Sequence, residues 1–330
     1  MILYDFSQII HNNIYSIKEQ IQKEGLDSTF NMLKHKIITH ILSLSTKYRD
    51  HKEIVLCCDD KGSLWRKKIH PYYKGRRVLR RKDDGFPWAD FWKLMGEFIK
   101  ELDELFPFNV ITSPGAEGDD IIATLTFYTM STKPNQEIII ISNDKDFKQL
   151  HLSPMVKQYD PKEKKEIRAI APKNDLMFHI LKGDDGDDIP NVKTTDLDTY
   201  VNPDKRSVRM WFETKVREHI DNNTVMSELL NEDIIDKKTN TVIVTKEQLL
   251  ENFNRNRTLV DLSQCPVEIQ KDIVYTYESN KEKIIKRGRM NLLKFFIQNK
   301  MRVLADRISD FDKFYKIEDD CDDNIMSFLG

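Results

Sequence analysis

Four short runs rich in Ile and Val punctuate the first half of the chain, and three of them are followed within two residues by an aspartate. They are Met1–Tyr4, followed by Asp5; Glu53–Cys58, followed by Asp59; Phe108–Thr112; and Glu137–Ser142, with Asp144 two residues beyond. Runs this short and this apolar suit strands buried on both faces. Apolar residues at helical spacing fill the intervals, at Thr29–Thr46, Phe91–Leu105 and Asp120–Met130. Such alternation predicts an α/β fold, a mostly parallel twisted sheet with helices on both faces. Ligands bind such sheets at the carboxyl ends of their strands. The aspartates stand there.

From about Asn174 the pattern becomes helical, with one further strand-like stretch at Asn240–Thr245. The expected division is an α/β domain over 1–173, a helical region over 174–311 and a flexible tail over 312–330. No apolar run approaches the roughly 20 residues of a membrane span. Met1 leads straight into a strand with no charged leader, so a cytoplasmic protein is expected. Cys57 and Cys58 sit in an apolar run and read as core residues of a reducing compartment; with Cys265 and Cys321 they form no C-x-x-C pair. The histidines show no zinc-like spacing to Cys or to one another.

Further acids join the strand-ending ones. Asp146 lies two residues past Asp144, Glu117 and Asp119 precede a helix starting near Asp120, and Asp184 and Asp187 lie in LKGDDGDDIPNV. Any one of them alone could be a turn or helix cap. Capping does not explain acids at nearly every strand end. Carboxylates so crowded raise one another's pKa values unless a cation joins them. Oxygen-only donors point to Mg²⁺, with Mn²⁺ as a substitute, and two such ions about 4 Å apart could clamp a phosphodiester.

The net charge of −2 hides a segregated pattern. Between Lys61 and Lys82 lie ten Lys or Arg residues and no acid. Trp65, Tyr72 and Tyr73 interleave with Arg66, Lys74, Arg76, Arg77, Arg80 and Arg81. Cations bind phosphates and aromatic rings stack on unpaired bases, so the segment suits a single strand or frayed end. A solvated basic loop is the plainer alternative. A second basic stretch, Lys281–Arg302, falls on a predicted helix pair. An acidic sheet edge beneath a basic clamp describes a nuclease.

Taken in order, these motifs resemble the 5′-nuclease family of flap endonucleases and polymerase-associated 5′→3′ exonucleases, and in particular its T-even phage ribonuclease H branch. The matching residues are Asp5 in YDFSQ, Asp59 in VLCCD, Glu117–Asp120, Ser142–Leu150 and Gly183–Pro190. The resemblance implies a PIN-like core, with WRKKIHPYYKGRR as a helical arch near 61–85 and a helix-three-turn-helix in the C-terminal region. It implies that Asp5, Asp59, Asp119 and Asp144 hold a first metal. Asp146, Asp184 and Asp187, with Glu117 and Asp120 nearby, would hold a second. Lys74 and Arg77 would act at the scissile phosphate, with Tyr73 stacking on a base and Trp65, Arg66, Arg76, Arg80 and Arg81 as further substrate contacts.

Two departures stand out. Asp188 replaces the family's usual Asn, and Val192–Tyr200 lacks the glycines of the helix-three-turn-helix, so no potassium site is expected. The implied substrates are RNA–DNA hybrids, DNA duplexes, forked duplexes and 5′ flaps, met during lagging-strand replication in a host cytoplasm if the chain is phage-encoded. A single-stranded-DNA-binding protein is a further expected partner. The terminal peptide Ile325–Gly330 resembles the short segments by which phage replication proteins grip a sliding clamp. Two alternatives remain open here: a non-catalytic structure-specific nucleic-acid binder, and a PIN-type ribonuclease.

Overall fold

The computed structural model describes residues 1–60, 62, 64–83, 85–236 and 238–315, without the side chains of 80–83, 285 and 286. All four expected strands enter one sheet: β1 (Ile2–Asp5), β2 (Ile54–Cys57), β3 (Asn109–Ile111) and β4 (Ile138–Ile141). Two more extend it, β5 (Val156–Asp160) and β6 (Lys165–Ile167), giving the order β3-β2-β1-β4-β5-β6. The first five run parallel and β6 is antiparallel. Sequence patterning missed β5 and β6 because Lys157, Lys165 and Glu166 interrupt the apolar signal. Such charges protect a sheet edge from further pairing.

Helices in the first part are α1 (Phe6–Tyr15), α2 (Lys18–Glu24), α3 (Leu26–Lys47), α4 (Trp65–Ile69), α5 (Gly75–Asp83), α6 (Trp88–Leu105) and α7 (Gly118–Thr132). Strand side chains alternate between two layers. Ile2, Tyr4, Leu56, Ile139 and Ile141 pack with α1, α3 and α6, while Leu3, Val55, Cys57, Ile138 and Ile140 pack with α7. Each buried aliphatic side chain contributes about 1.5–3 kcal/mol. Both faces therefore need cover, which is why the strands read as apolar throughout.

The chain moves outward from β1 through β2 to β3, then returns across β1 to β4. Strand order thus reverses beside β1, the switch point where such sheets open a crevice. The register Ile2↔Ile139 through Tyr4↔Ile141 sets the carboxyl ends of β1 and β4 side by side. Asp5 and Asp144 are neighbours for that reason.

Beyond the sheet follow α8 (Pro172–Lys182), α9 (Glu213–Asp221), a hairpin β7 (Ile234–Ile235) and β8 (Val242–Val244), and α10 (Lys246–Val260). These build a third core, with Ile180, Leu181, Val216, Leu249, Phe253 and Leu259, which also takes in Tyr73 of the basic segment. The chain then returns to the sheet as α11 (Val267–Lys286), α12 (Arg289–Gln298) and α13 (Arg302–Asp306). Ile273, Val274 and Tyr277 join the α7 layer, and Leu292, Phe295, Phe296 and Leu304 join the α3–α6 layer.

Two expectations change. The helices of 174–311 form no single body, because the apolar faces of α11 to α13 are buried against the sheet. The packed chain also extends past 311: Ile308–Phe314 makes a 3-10 turn whose Phe311 and Phe314 are buried in the core. Residues 316–330, including the proposed docking peptide Ile325–Gly330, lie outside the described residues. The helical C-terminal region opens on two helices joined by turns. α8 and α9 are joined by residues 183–212, which hold no helix. A tight loop begins this connection, closed by reciprocal backbone hydrogen bonds between Asp184 and Ile189. Gly183, at φ +72°, must be glycine: a Cβ there would lie 2.3 Å from the Ile189 oxygen.

Candidate active site

Local chemistry orients the strand-ending acids. Asp5 caps α1, its Oδ1 accepting the Gln8 N–H at 3.0 Å and its Oδ2 the Ser142 hydroxyl at 2.9 Å. Asp59 accepts the Ser7 hydroxyl at 2.8 Å and the Gly118 N–H at 2.7 Å. Gly118 allows that approach, since a Cβ there would sit 3.2 Å from Asp59 Oδ1 and 3.1 Å from the Cys57 oxygen. Asp144 opens a 3-10 turn over Lys145–Leu150 by accepting the Asp146 N–H at 2.9 Å. A cleft of about 750 Å³ is lined by Asp5, Asp59, Asp119, Asp144, Asp146, Asp184 and Asp187, and by the cations Lys74 and Arg77.

The basic segment forms α4, a turn and α5, and its Lys74 and Arg77 line this cleft. Lys74 takes a left-handed backbone, φ 56°, with its N–H donating to the Asp187 backbone carbonyl at 2.9 Å. Its ammonium group pairs with Glu117 and stands 3.6 Å from Asp187. Arg77 pairs with the other oxygen of Asp187. Arg76 pairs with Asp188 and Asp185 and lies over the Tyr200 ring, 4.6 Å from its centroid. Asp188 is buried at φ 61°; besides its Arg76 contacts, its carbonyl meets His70 Nε2 at 2.8 Å. The acid in place of Asn thus staples the basic segment to the loop after α8.

Several expected site residues have other work. Arg66 is 2% exposed, and it donates to Glu117 at 3.0 Å, to both Asp120 oxygens at 2.8 and 2.9 Å, and to the Leu259 carbonyl at 3.0 Å. Trp65 is buried, its indole N–H donating to Asp120 at 3.0 Å. Tyr73 is buried too, its hydroxyl donating to Glu117 at 2.8 Å and Asp187 at 3.0 Å. None of the three is available to stack on a base or grip a phosphate. Asp120 is fully buried, and its oxygens are engaged by Arg66, Trp65 and the Glu117 N–H, so it is no metal ligand. Glu117 lines the cleft, but both its oxygens already meet cations. The side chains of Arg80 and Arg81 lie outside the described residues.

Electrostatics separate the acids into two groups. Burial, then Asp59 and Asp144, pushes Asp5 up to about 7 against the pull of its hydrogen bonds. Burial and Asp146 raise Asp144 to about 6. Burial, Asp144 and Asp5 hold Asp119 well above the carboxylate range. These donors are all oxygen and short of positive charge, which fits a hard divalent cation. Glu117 is the opposite case: burial disfavours its charge, yet Lys74 and Arg66 hold it below the usual range.

A pH dependence follows. Asp5 and Asp144 titrate near 7 and 6 in the folded chain and near 3.9 unfolded. Between about pH 4 and 7 the folded state therefore holds protons that the unfolded state has released, and stability falls as pH rises through that window. In EDTA the urea midpoint should drop between pH 5 and 7.5. Saturating Mg²⁺ should remove most of the drop, because the cation supplies the missing positive charge. An Asp5→Asn chain should show a flatter profile; an equal slope in both chains would contradict this electrostatic picture.

The sequence reading overlooked His179. From the last turn of α8 its Nδ1 lies 3.2 Å from Asp146 and its Nε2 3.0 Å from Asp184. Burial opposes its charge, but the two acids prevail and raise it to about 10, while His179 in turn draws Asp184 down to about 2. A search for His near Cys or His could not find it. The available signal was an acid five residues further on, a spacing that a helix end followed by a tight turn can close.

The chain resembles known proteins along nearly its whole length. Residues 1–176 match the family of 5′-3′ exonucleases with an N-terminal resolvase-like domain, and residues 170–311 match the C-terminal region of T4 RNase H. Ribonuclease H of Enterobacteria phage T4 is 29% identical over 314 residues, covering 94% of this chain and 95% of its own. The flap endonuclease Xni of a Shewanella species is 32% identical over 150 residues, 42% of this chain and 52% of that protein. Among solved structures, the bacteriophage T5 flap endonuclease in a complex with DNA and metal ions superposes with a TM-score of 0.57. That match is 18% identical and covers 86% of this chain and 97% of the phage protein.

Proposed function

The chain belongs to the family of 5′-3′ exonucleases with an N-terminal resolvase-like domain and is a metal-dependent 5′ nuclease, and we propose that it uses Mg²⁺ to remove RNA primers and 5′ flaps during lagging-strand replication. One observation supports the reading: Asp5, Asp59, Asp119 and Asp144 line a single cleft together with the cations Lys74 and Arg77. Asp5, Asp59, Asp119 and Asp144 would hold a first cation, and Asp146, Asp184 and Asp187 a second. When bound, such ions polarise the phosphodiester and make water a better nucleophile. The Lys74 ammonium and Arg77 guanidinium steady the charge that builds on the phosphate. Their pairing with Glu117 and Asp187 keeps both oriented before substrate arrives.

The T4 relative is named for ribonuclease H and the Shewanella relative for flap cleavage, which supports both substrate classes here. A purely structural binder would not need the four cleft acids. A minimal PIN ribonuclease would end before the loop at Gly183. The apolar peptide Ile325–Gly330 is proposed as the segment that docks a sliding clamp, with a single-stranded-DNA-binding protein as a second replication partner. No described helix is long and apolar enough to cross a membrane.

The test is cleavage of 5′-labelled RNA–DNA hybrid and flap substrates in Mg²⁺, beside a circular duplex without ends and an EDTA control. Short labelled products from the first two substrates alone are expected; equal cutting of the circle would sink the 5′-end reading. Lys74→Ala should slow single-turnover cleavage about 10²-fold while leaving affinity within about threefold. Glu117 keeps Arg66 and Tyr73 as partners, so the fold should hold. An effect on affinity alone would remove Lys74 from the chemistry.

A further inference from the structure

His179 stands between two of the acids proposed for the second cation. Each ring nitrogen faces a different carboxylate, Nδ1 at 3.2 Å from Asp146 Oδ1 and Nε2 at 3.0 Å from Asp184 Oδ2. Asp146 comes from the 3-10 turn after β4, His179 from the end of α8, and Asp184 from the loop that follows. One donor atom of each lies within 4.8 Å of the other two. All three remain open to solvent: Asp146 and Asp184 line the main cleft, and together with His179 they line an adjoining one of about 580 Å³.

We propose that His179 is a nitrogen ligand of the cation held by Asp146 and Asp184, and that it biases this position toward Mn²⁺ and Co²⁺ over Mg²⁺. The proposal rests on the metal-dependent reading of the cleft. Mg²⁺ favours oxygen donors and keeps its waters, whereas imidazole suits first-row transition ions. A ligating histidine also needs its second nitrogen fixed by an acceptor. Here that condition is met either way, because whichever nitrogen binds the ion, the other already faces a carboxylate. The rival reading makes the ring a charged bridge that neutralises two acids and never touches an ion.

Pulsed electron paramagnetic resonance of Mn²⁺ bound to the full chain separates the two. Expected is a directly bonded ¹⁴N coupling in the wild type that vanishes in His179→Gln, together with an approximately tenfold loss of Mn²⁺ affinity at one position. Mg²⁺ affinity, read by competition, should change far less. Mn²⁺ bound in the cleft without a coupled nitrogen, or a coupling that survives in His179→Gln, overturns the proposal. The wild-type spectrum decides this even if the variant folds poorly. Either result leaves the nuclease reading standing, since that depends on cleavage in Mg²⁺ and not on the ligand spectrum. A wild type that binds no Mn²⁺ would count against both.

Discussion

Asp144→Asn should reduce cleavage at least about 10³-fold while leaving nucleic-acid binding intact or tighter. The substitution is small and its structural cost is low. Asp144 begins the 3-10 turn through an oxygen that accepts the Asp146 N–H, and an asparagine oxygen can accept the same bond. What disappears is one negative charge beside Asp5, Asp119 and Asp146, whose crowding gives the site its demand for a cation. Phosphate affinity comes chiefly from Lys and Arg side chains, and removing an acid beside them weakens repulsion. Single-turnover cleavage in Mg²⁺ and fluorescence anisotropy in EDTA measure the two effects separately. Near-normal turnover would mean that the metals sit elsewhere.

Arg66→Met carries the second large effect, on stability: about 3–5 kcal/mol by urea unfolding. Arg66 joins three distant parts of the chain, the base of the basic segment, the first turn of α7 and the end of α10. Methionine would fill much of the volume but leave Asp120 without its guanidinium partner and Glu117 with only Lys74 and Tyr73. Burying a charge without its partner costs more than the pair itself contributes. The loss should be smaller at pH 5 than at pH 8, because removing Arg66 frees Glu117 from one of the two cations that hold its carboxyl below the usual range. Adding Asp120→Asn should recover part of it. A loss below about 1 kcal/mol at pH 8 would show that the network relaxes around the gap.

What the amino-acid sequence determined by itself was local. A run such as IIIIS, short and set between helical patterns, reads as a buried strand, and an acid just after it emerges near that strand's carboxyl end. Asp5, Asp59 and Asp144 were legible on those grounds. The sheet's parallel architecture followed from the alternation of short apolar runs with helices. Asp119 before α7 and the cations Lys74 and Arg77 of the basic segment were legible too; the family resemblance added their expected roles, and all three line the cleft.

Only the tertiary structure decided which charges are spent on the protein itself. Between Lys61 and Lys82 every cation looks alike, because the segment contains no acid. The partners of Arg66 lie 51, 54 and 193 residues away, and their approach buries it along with Trp65. Tyr73 was read as a stacking ring, yet it packs in the core built by α8 to α10. Asp120 and Asp119 are adjacent, but the helix turns one toward Arg66 and the other toward the cleft. His179 became significant only when α8 settled against the turn after β4. Periodicity and residue type are properties of neighbours along the chain. Desolvation and charge pairing depend on neighbours in space, and those are chosen when the layers close.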